Sequence, residues 1–87
     1  MRIALRKGEI AWREIDGELV AVETRSSTYL SANGTGTALW RALADGTTRE
    51  ELVASLVGEY ELDERRAAAD VDAFLAQLSE HGLLDEQ

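Results

Sequence analysis

Apolar and polar residues alternate in the first third of the chain with the two-residue period of β-strands. Residues 10–15 and 19–24 carry this alternation on either side of Asp16-Gly17. That dipeptide is typical of a two-residue hairpin, because glycine accepts a positive φ. A third short run, residues 28–32, follows a turn without glycine and ends at Asn33-Gly34. The pattern predicts three antiparallel strands.

From residue 35 onward the apolar residues recur at the three- and four-residue steps of helices. Residues 35–44 form the first predicted helix, which ends at Asp45-Gly46. Thr47 and Glu50 match a capping box, which predicts the start of a second helix. A third helix is predicted to begin after Asp63, a favourable N-cap residue. Its apolar stripe consists of Ala67, Val71, Phe74, Leu75 and Leu78.

The end of the third helix is also marked in the sequence. Gly82 stands where a left-handed cap is expected, and Leu83 would then contact Leu78 in a Schellman motif. Helices must cover the apolar face of so small a sheet. We therefore predict one α+β domain over residues 1–87, winged-helix-like, with a three-stranded antiparallel sheet followed by three helices and one strand left with a free edge.

Composition narrows the chemistry that such a domain could perform. The 87 residues are 45% hydrophobic and 30% charged, a globular balance. The chain has no cysteine and a single histidine, His81, so a thiolate metal site or a histidine cluster is not expected. The glycines near Gly34 are not followed by the lysine of a phosphate loop. We expect no cofactor, no metal and no enzymatic activity.

Charge is unevenly distributed along the chain. Lysine and arginine total 9 and aspartate and glutamate total 17, which gives a net charge of -8. Residues 1–50 hold seven of each sign, so the excess lies after residue 50, where Arg65 and Arg66 face ten acidic residues. A phosphate backbone would be repelled. No apolar run approaches the roughly 20 residues of a membrane helix. These features disfavour nucleic acid and membrane as partners and predict a cytoplasmic protein.

The third predicted strand offers a place for a partner to bind. Residues 28–32 are uncharged and include Tyr29 and Leu30, and an extended peptide can pair with such an edge. Phe74 and Leu75 together make the stripe of the third helix wider than one packing seam, which leaves room for a residue that faces a groove. The alternative interpretation is that the stripe serves the core alone.

One further pattern spans most of the chain, over about residues 19–84. It consists of Tyr29, Asn33, Leu39-Trp40, Asp45-Gly46, Thr48-Arg49-Glu50-Glu51-Leu52, Asp70-Val71, Phe74-Leu75, Leu78 and Gly82-Leu83-Leu84. In order and spacing these residues resemble the PqqD-like proteins, recognition elements that bind the leader peptides of ribosomally made, post-translationally modified peptides. The chain is most similar to the small PqqD-like partners of lasso-peptide pathways.

The resemblance implies a function as well as the fold. A leader segment of the precursor peptide would be captured as an added strand on the third strand, against the third helix. The bound precursor would then be presented to a separate processing enzyme, such as a leader peptidase or a cyclase. The residues that the resemblance places at the peptide are Ser27, Thr28, Tyr29 and Leu30 on the strand and Asp70, Val71, Phe74 and Leu78 on the helix.

One position departs from the family pattern. Ala32 stands where the family usually has leucine just before the asparagine. Leu30 or Trp40 could fill the lost volume, or the leader pocket could be larger. Two hypotheses follow from the sequence: a leader-binding adaptor, or a small winged-helix regulator that binds nucleic acid or another protein.

Overall fold

The computed structural model describes residues 2–6, 8 and 10–86. Its elements are β1 (Ile3–Leu5), β2 (Ile10–Ile15), β3 (Glu18–Glu23), β4 (Thr28–Ala32), α1 (Thr35–Asp45), α2 (Arg49–Tyr60), α3 (Glu64–Glu80) and β5 (Leu84–Glu86). The predicted α+β class is confirmed, with three antiparallel strands in the order β2-β3-β4 followed by three helices.

The β2–β3 hairpin turns at Asp16 and Gly17, as predicted. Both residues have a positive φ, 51° and 82° respectively, the backbone of a two-residue turn whose twist matches the flanking strands. Ile15 and Glu18 are directly paired on either side of it. The turn therefore fixes the register of β2 against β3.

Two short strands at the ends of the described chain were not predicted. β1 and β5 pair antiparallel as a separate two-stranded sheet, and β1 also bridges to Thr47 through two hydrogen bonds with Ile3, of 2.7 and 2.8 Å. Each strand has three residues, too few for alternation to be recognised. Pairing with distant residues, rather than local pattern, makes them strands.

The predicted boundaries of α3 are confirmed. The Asp63 side chain accepts a hydrogen bond of 2.8 Å from the amide of Arg66. At the other end Gly82 has a φ of 68° and donates to the Ser79 carbonyl at 3.0 Å, while Leu83 donates to the Leu78 carbonyl at 3.0 Å. These two bonds form the Schellman motif, and they return Leu83 to the core, where it is buried.

The predicted cap of α2 is wrong by one residue. Thr48, not Thr47, is the N-cap, and its side chain accepts a hydrogen bond of 3.1 Å from the amide of Glu51 rather than Glu50. Thr47 is buried, and its backbone pairs with that of Ile3 in an isolated antiparallel bridge. The sequence offers two overlapping threonine–glutamate pairs, and the long-range bridge selects the second.

The core lies between the inner face of the three-stranded sheet and the helices. Its fully buried members include Leu19 from β3, Trp40 from α1, Leu52 from α2 and Val71 from α3. The opposite face of the sheet is open and partly apolar, with Val20 42% and Tyr29 75% exposed. The helices thus cover one side of the sheet, and within the described residues no strand pairs with the outer edge of β4.

Candidate functional site

The outer edge of β4 has no strand partner among the described residues. The pairs that flank a two-residue turn exchange both backbone hydrogen bonds, and such pairs alternate along an antiparallel ladder. From the Ile15–Glu18 pair it follows that Leu19 and Ala21 direct their backbone groups toward β4. Their ladder partners are Ala32 and Leu30.

Alternation along β4 then decides which backbone groups face the free edge. Thr28, Leu30 and Ala32 bond to β3, so Tyr29 and Ser31 direct their N–H and C=O groups outward. Two donors and two acceptors therefore lie in a row along this edge. An extended peptide could satisfy all four.

The turn that leads into β4 is held by a buried carboxylate. Glu23 accepts hydrogen bonds from the amides of Arg25 and Ser26, at 3.0 and 3.1 Å, and from the Ser26 hydroxyl at 2.5 Å. The Ser26 hydroxyl lies 2.7 Å from that of Thr28. Ser27 has a φ of 55°. The carboxylate thus supports a left-handed turn that lacks glycine and fixes the start of the free edge.

Hydrogen bonding from Ser26 and the two backbone amides, together with the Arg6 guanidinium at 3.5 Å, lowers the pKa of Glu23 below its ordinary value of 4.5. Because the pKa of Glu23 is lower in the folded than in the unfolded state, its charged carboxylate increases the free energy of unfolding above pH 4.5. This contribution is lost as the pH falls through the folded pKa.

We expect a comparison with Glu23→Gln to show this dependence. Wild type should be more stable than the variant at neutral pH, and the difference should shrink as the pH falls below about 4.5. Urea unfolding across pH measures it, since the other carboxylates are common to both proteins. A difference that stayed constant with pH would show that folding leaves the pKa of Glu23 unchanged, against the lowered pKa expected here.

A depression of about 310 Å³ opens between the first turn of α1 and the exposed side of α3. Its lining is formed by Thr35, Gly36, Leu39, Asp70, Ala73, Phe74 and Gln77. A Cβ on Gly36 would lie 3.1 Å from the Ala32 Cβ and 3.6 Å from the Phe74 Cε1. Gly36 therefore lets the end of β4 and the Phe74 ring approach α1 closely. The depression lies at the end of the free edge.

This close approach also bears on the Ala32 position. Ala32 is half-buried, and its Cβ occupies space next to Gly36 that a leucine side chain would need. Ala32 at the end of β4 and Gly36 in α1 face each other, so both elements have a small side chain or none at this point of contact. Leu30 is buried in the core, in the same apolar cluster as Trp40, and does not line the depression.

The eight site residues expected from the sequence fall into three groups. Asp70 and Phe74 are half-buried and meet in the depression. Ser27 lies in the exposed turn before β4, and the half-buried Thr28 and the exposed Tyr29 begin the strand. The Tyr29 side chain is on the outer face of the sheet, away from the helices. The side chains of Leu30, Val71 and Leu78 belong to the buried core. Direct contact of these three with a peptide stays a prediction.

Some residues of the site were not singled out from the sequence. Ser31 follows from the same alternation that places Tyr29 at the free edge. Ala73 and Gln77 lie three and seven residues after Asp70, so helical spacing alone could have placed them on its face. Gly36 could not have been found locally, because its role depends on packing between three elements.

Several charged side chains near the site form ion pairs with one another. The Arg66 guanidinium lies 3.8 Å from the Asp70 carboxylate. Arg49 forms a two-bond pair with Asp72, at 2.7 and 2.9 Å, which lowers the pKa of Asp72.

Within the described residues, no group of three histidine, aspartate or glutamate side chains is arranged to hold a metal. No helix of the described chain combines the length and apolar character needed to cross a membrane.

The structure thus combines three antiparallel strands that have an open outer edge, three helices on one side of the sheet and a depression at the end of that edge. The sequence profile of the family described as coenzyme PQQ synthesis protein D (PqqD) matches residues 18–84. The chain belongs to this PqqD family. The resemblance drawn from the sequence is therefore confirmed.

Two solved structures are similar over nearly the whole chain. One, described as TbiB1 in complex with the TbiA(β) leader peptide, has a TM-score of 0.87 and 26% identity, and the match covers 97% of this chain and 96% of that one. The other, lasso peptide synthetase B1 complexed with the leader peptide, has a TM-score of 0.83 and 28% identity, with 97% and 98% covered. A comparison with curated proteins gives no match.

Proposed function

We propose that this protein binds the leader segment of a ribosomally synthesised precursor peptide as an added strand on β4. The observation that carries the proposal is the row of outward backbone groups at Tyr29 and Ser31, which ends beside the Phe74 depression. Both similar structures hold a leader peptide, which supports the same class of ligand here.

Two kinds of contact would hold the leader. Backbone hydrogen bonds to β4 supply affinity without regard to sequence, while alternate leader side chains enter pockets that supply specificity. The depression offers one such pocket, with the half-buried Phe74 ring as its apolar wall and Asp70 at its margin. One apolar leader side chain would be anchored there.

This binding mode predicts that leader affinity depends only weakly on salt. Backbone pairing and apolar anchoring are only weakly screened, so the affinity for a leader should change little between low and moderate ionic strength. Isothermal titration with a synthetic leader from a candidate precursor measures it. An affinity that collapsed over this range would indicate an electrostatic mode and would favour the nucleic-acid alternative instead.

The bound precursor would be presented to a separate processing enzyme, a leader peptidase or a cyclase. Because the precursor is made on ribosomes, we place this encounter in the cytoplasm, with residues 1–87 acting as one binding domain. The protein itself contributes binding and orientation. Such positioning raises the rate of the partner's reaction by holding the substrate in place.

We therefore expect no reaction from the protein alone. Incubation of the purified protein with its precursor should leave the precursor mass unchanged, and addition of the processing enzyme should produce cleavage or cyclisation. Mass spectrometry distinguishes these outcomes. Processing of the precursor without a partner enzyme would contradict the proposal.

A further inference from the structure

A second concave surface lies on the other side of α3, between α2 and α3. This cleft has a volume of about 440 Å³, and Arg49, Glu50, Val53, Ala54, Val57, Gly58, Glu64 and Ala68 line it. Its floor is apolar, and Val57 is 37% exposed. Gly58 faces open space, since a Cβ there would meet no atom within 4 Å.

The cleft is separate from the leader site. On α3 the cleft residues Glu64 and Ala68 are four residues apart, and Asp72 continues their line. The depression uses Asp70 and Phe74 instead. The buried stripe of α3 runs between the two lines, because positions four residues apart share a face of a helix. Both surfaces can therefore be occupied at once.

The rim of the cleft is acidic. Arg49 is engaged by both carboxylate oxygens of Asp72, which offsets its charge. No cation of the described chain lies within ion-pair distance of Glu50 or Glu64. The whole negative excess of the sequence also falls after residue 50, with two basic against ten acidic residues. The cleft thus combines an apolar floor with a rim that attracts positive charge.

From this combination we infer that the α2–α3 cleft binds an amphipathic helix of a partner protein, with apolar side chains in the cleft and lysine or arginine on its flanks. A groove between two helices accepts a third helix by side-chain packing. A second copy of this chain would bring acidic helices to an acidic rim. Binding of a partner helix in this cleft would be a function additional to leader binding, and it does not depend on the leader site.

A synthetic helix of the stated chemistry tests the inference. The probe is an alanine-based peptide of roughly 18 residues, long enough to form a helix, with leucines on one face and lysines flanking them. The control peptide carries glutamate in place of lysine. Each is titrated into the full ¹⁵N-labelled protein at low salt and again at moderate salt. We expect saturable one-to-one binding of the lysine peptide, with shifts centred on Val53, Val57, Gly58 and Ala68 and an affinity that falls with salt.

Matched variants separate docking in the cleft from general attraction between charges. Ala54→Gln with Gly58→Gln fills the cleft without changing charge, at two exposed positions of α2. Ala76→Gln makes the same kind of change on an exposed part of α3 outside the cleft. The double variant should bind the lysine peptide at least about tenfold more weakly, and the Ala76 variant should bind it as wild type does. Amide spectra confirm that each is folded, and Ala54→Gln alone serves if the double variant is not.

Three results would overturn the inference. The first is the absence of saturable binding by wild type. The second is equal binding by wild type and the cleft variants, which would show attraction by charge alone. The third is concentration-dependent shifts of the same residues without peptide, which would identify a second copy as the occupant. The leader titration is unaffected by any of these results, so it judges the proposed function separately.

Discussion

Tyr29→Pro is expected to remove leader binding while the domain stays folded. The Tyr29 amide faces the free edge of β4 and takes no part in the ladder with β3, so its loss leaves the sheet intact. Proline removes the donor and places a ring where the leader backbone must approach. The missing bond alone corresponds to about tenfold in affinity, and the ring adds to this loss.

Two variants make this result specific. Tyr29→Ala keeps the amide and removes an aromatic side chain that lies on the outer sheet face, so it should retain most of the affinity. Ser31→Pro removes the second outward donor and should resemble Tyr29→Pro. Isothermal titration gives the affinities, and circular dichroism checks the fold. Wild-type binding by a folded Tyr29→Pro protein would contradict pairing along β4.

Phe74→Ala is expected to weaken leader binding by about 1–3 kcal/mol, the range for an anchor in a desolvated pocket. Phe74 is half-buried and forms a wall of the depression rather than the centre of the core. Its removal should therefore cost less stability than the roughly 3–5 kcal/mol of a fully buried phenylalanine. Titration with leader and urea unfolding measure the two effects separately.

Leu75→Ala is the matched control for this change. Leu75 is also half-buried against the core, but it does not line the depression. It should lower stability and leave the leader affinity of the folded protein unchanged. If Phe74→Ala unfolds the domain, or binds leader as tightly as wild type, the anchor lies elsewhere.

The elements that the sequence predicted are those specified by local chemistry. Asp16-Gly17 fixes a hairpin by its backbone preferences, and Asp63 and Gly82 bracket α3 by capping. β1 and β5 depend instead on partners more than 40 residues away, so their short sequences carry no local signal. The same long-range bridge moved the cap of α2 from Thr47 to Thr48.

The site was predictable to a lesser degree, for a related reason. Alternation predicted β4 as a strand with an edge, the width of the apolar stripe singled out Phe74, and the resemblance to the PqqD-like proteins added Asp70. The resemblance placed Leu30, Val71 and Leu78 at the peptide, and the folded chain buries their side chains in the core, so their contact with a peptide stays a prediction. Neither alternation nor helical spacing distinguishes a residue at the surface from one sealed in the core. The depression itself needs Gly36, Ala32 and Phe74 together, which only packing reveals.

The central claim, that the leader adds as a strand to the free edge of β4, is tested most directly by amide hydrogen exchange with and without leader. In the free protein the amides of Thr28 and Leu30 should already be protected by β3, while those of Tyr29 and Ser31 exchange rapidly. Leader should protect Tyr29 and Ser31 strongly and change Thr28 and Leu30 little. Saturating leader that left Tyr29 and Ser31 exchanging as in the free protein would contradict the claim.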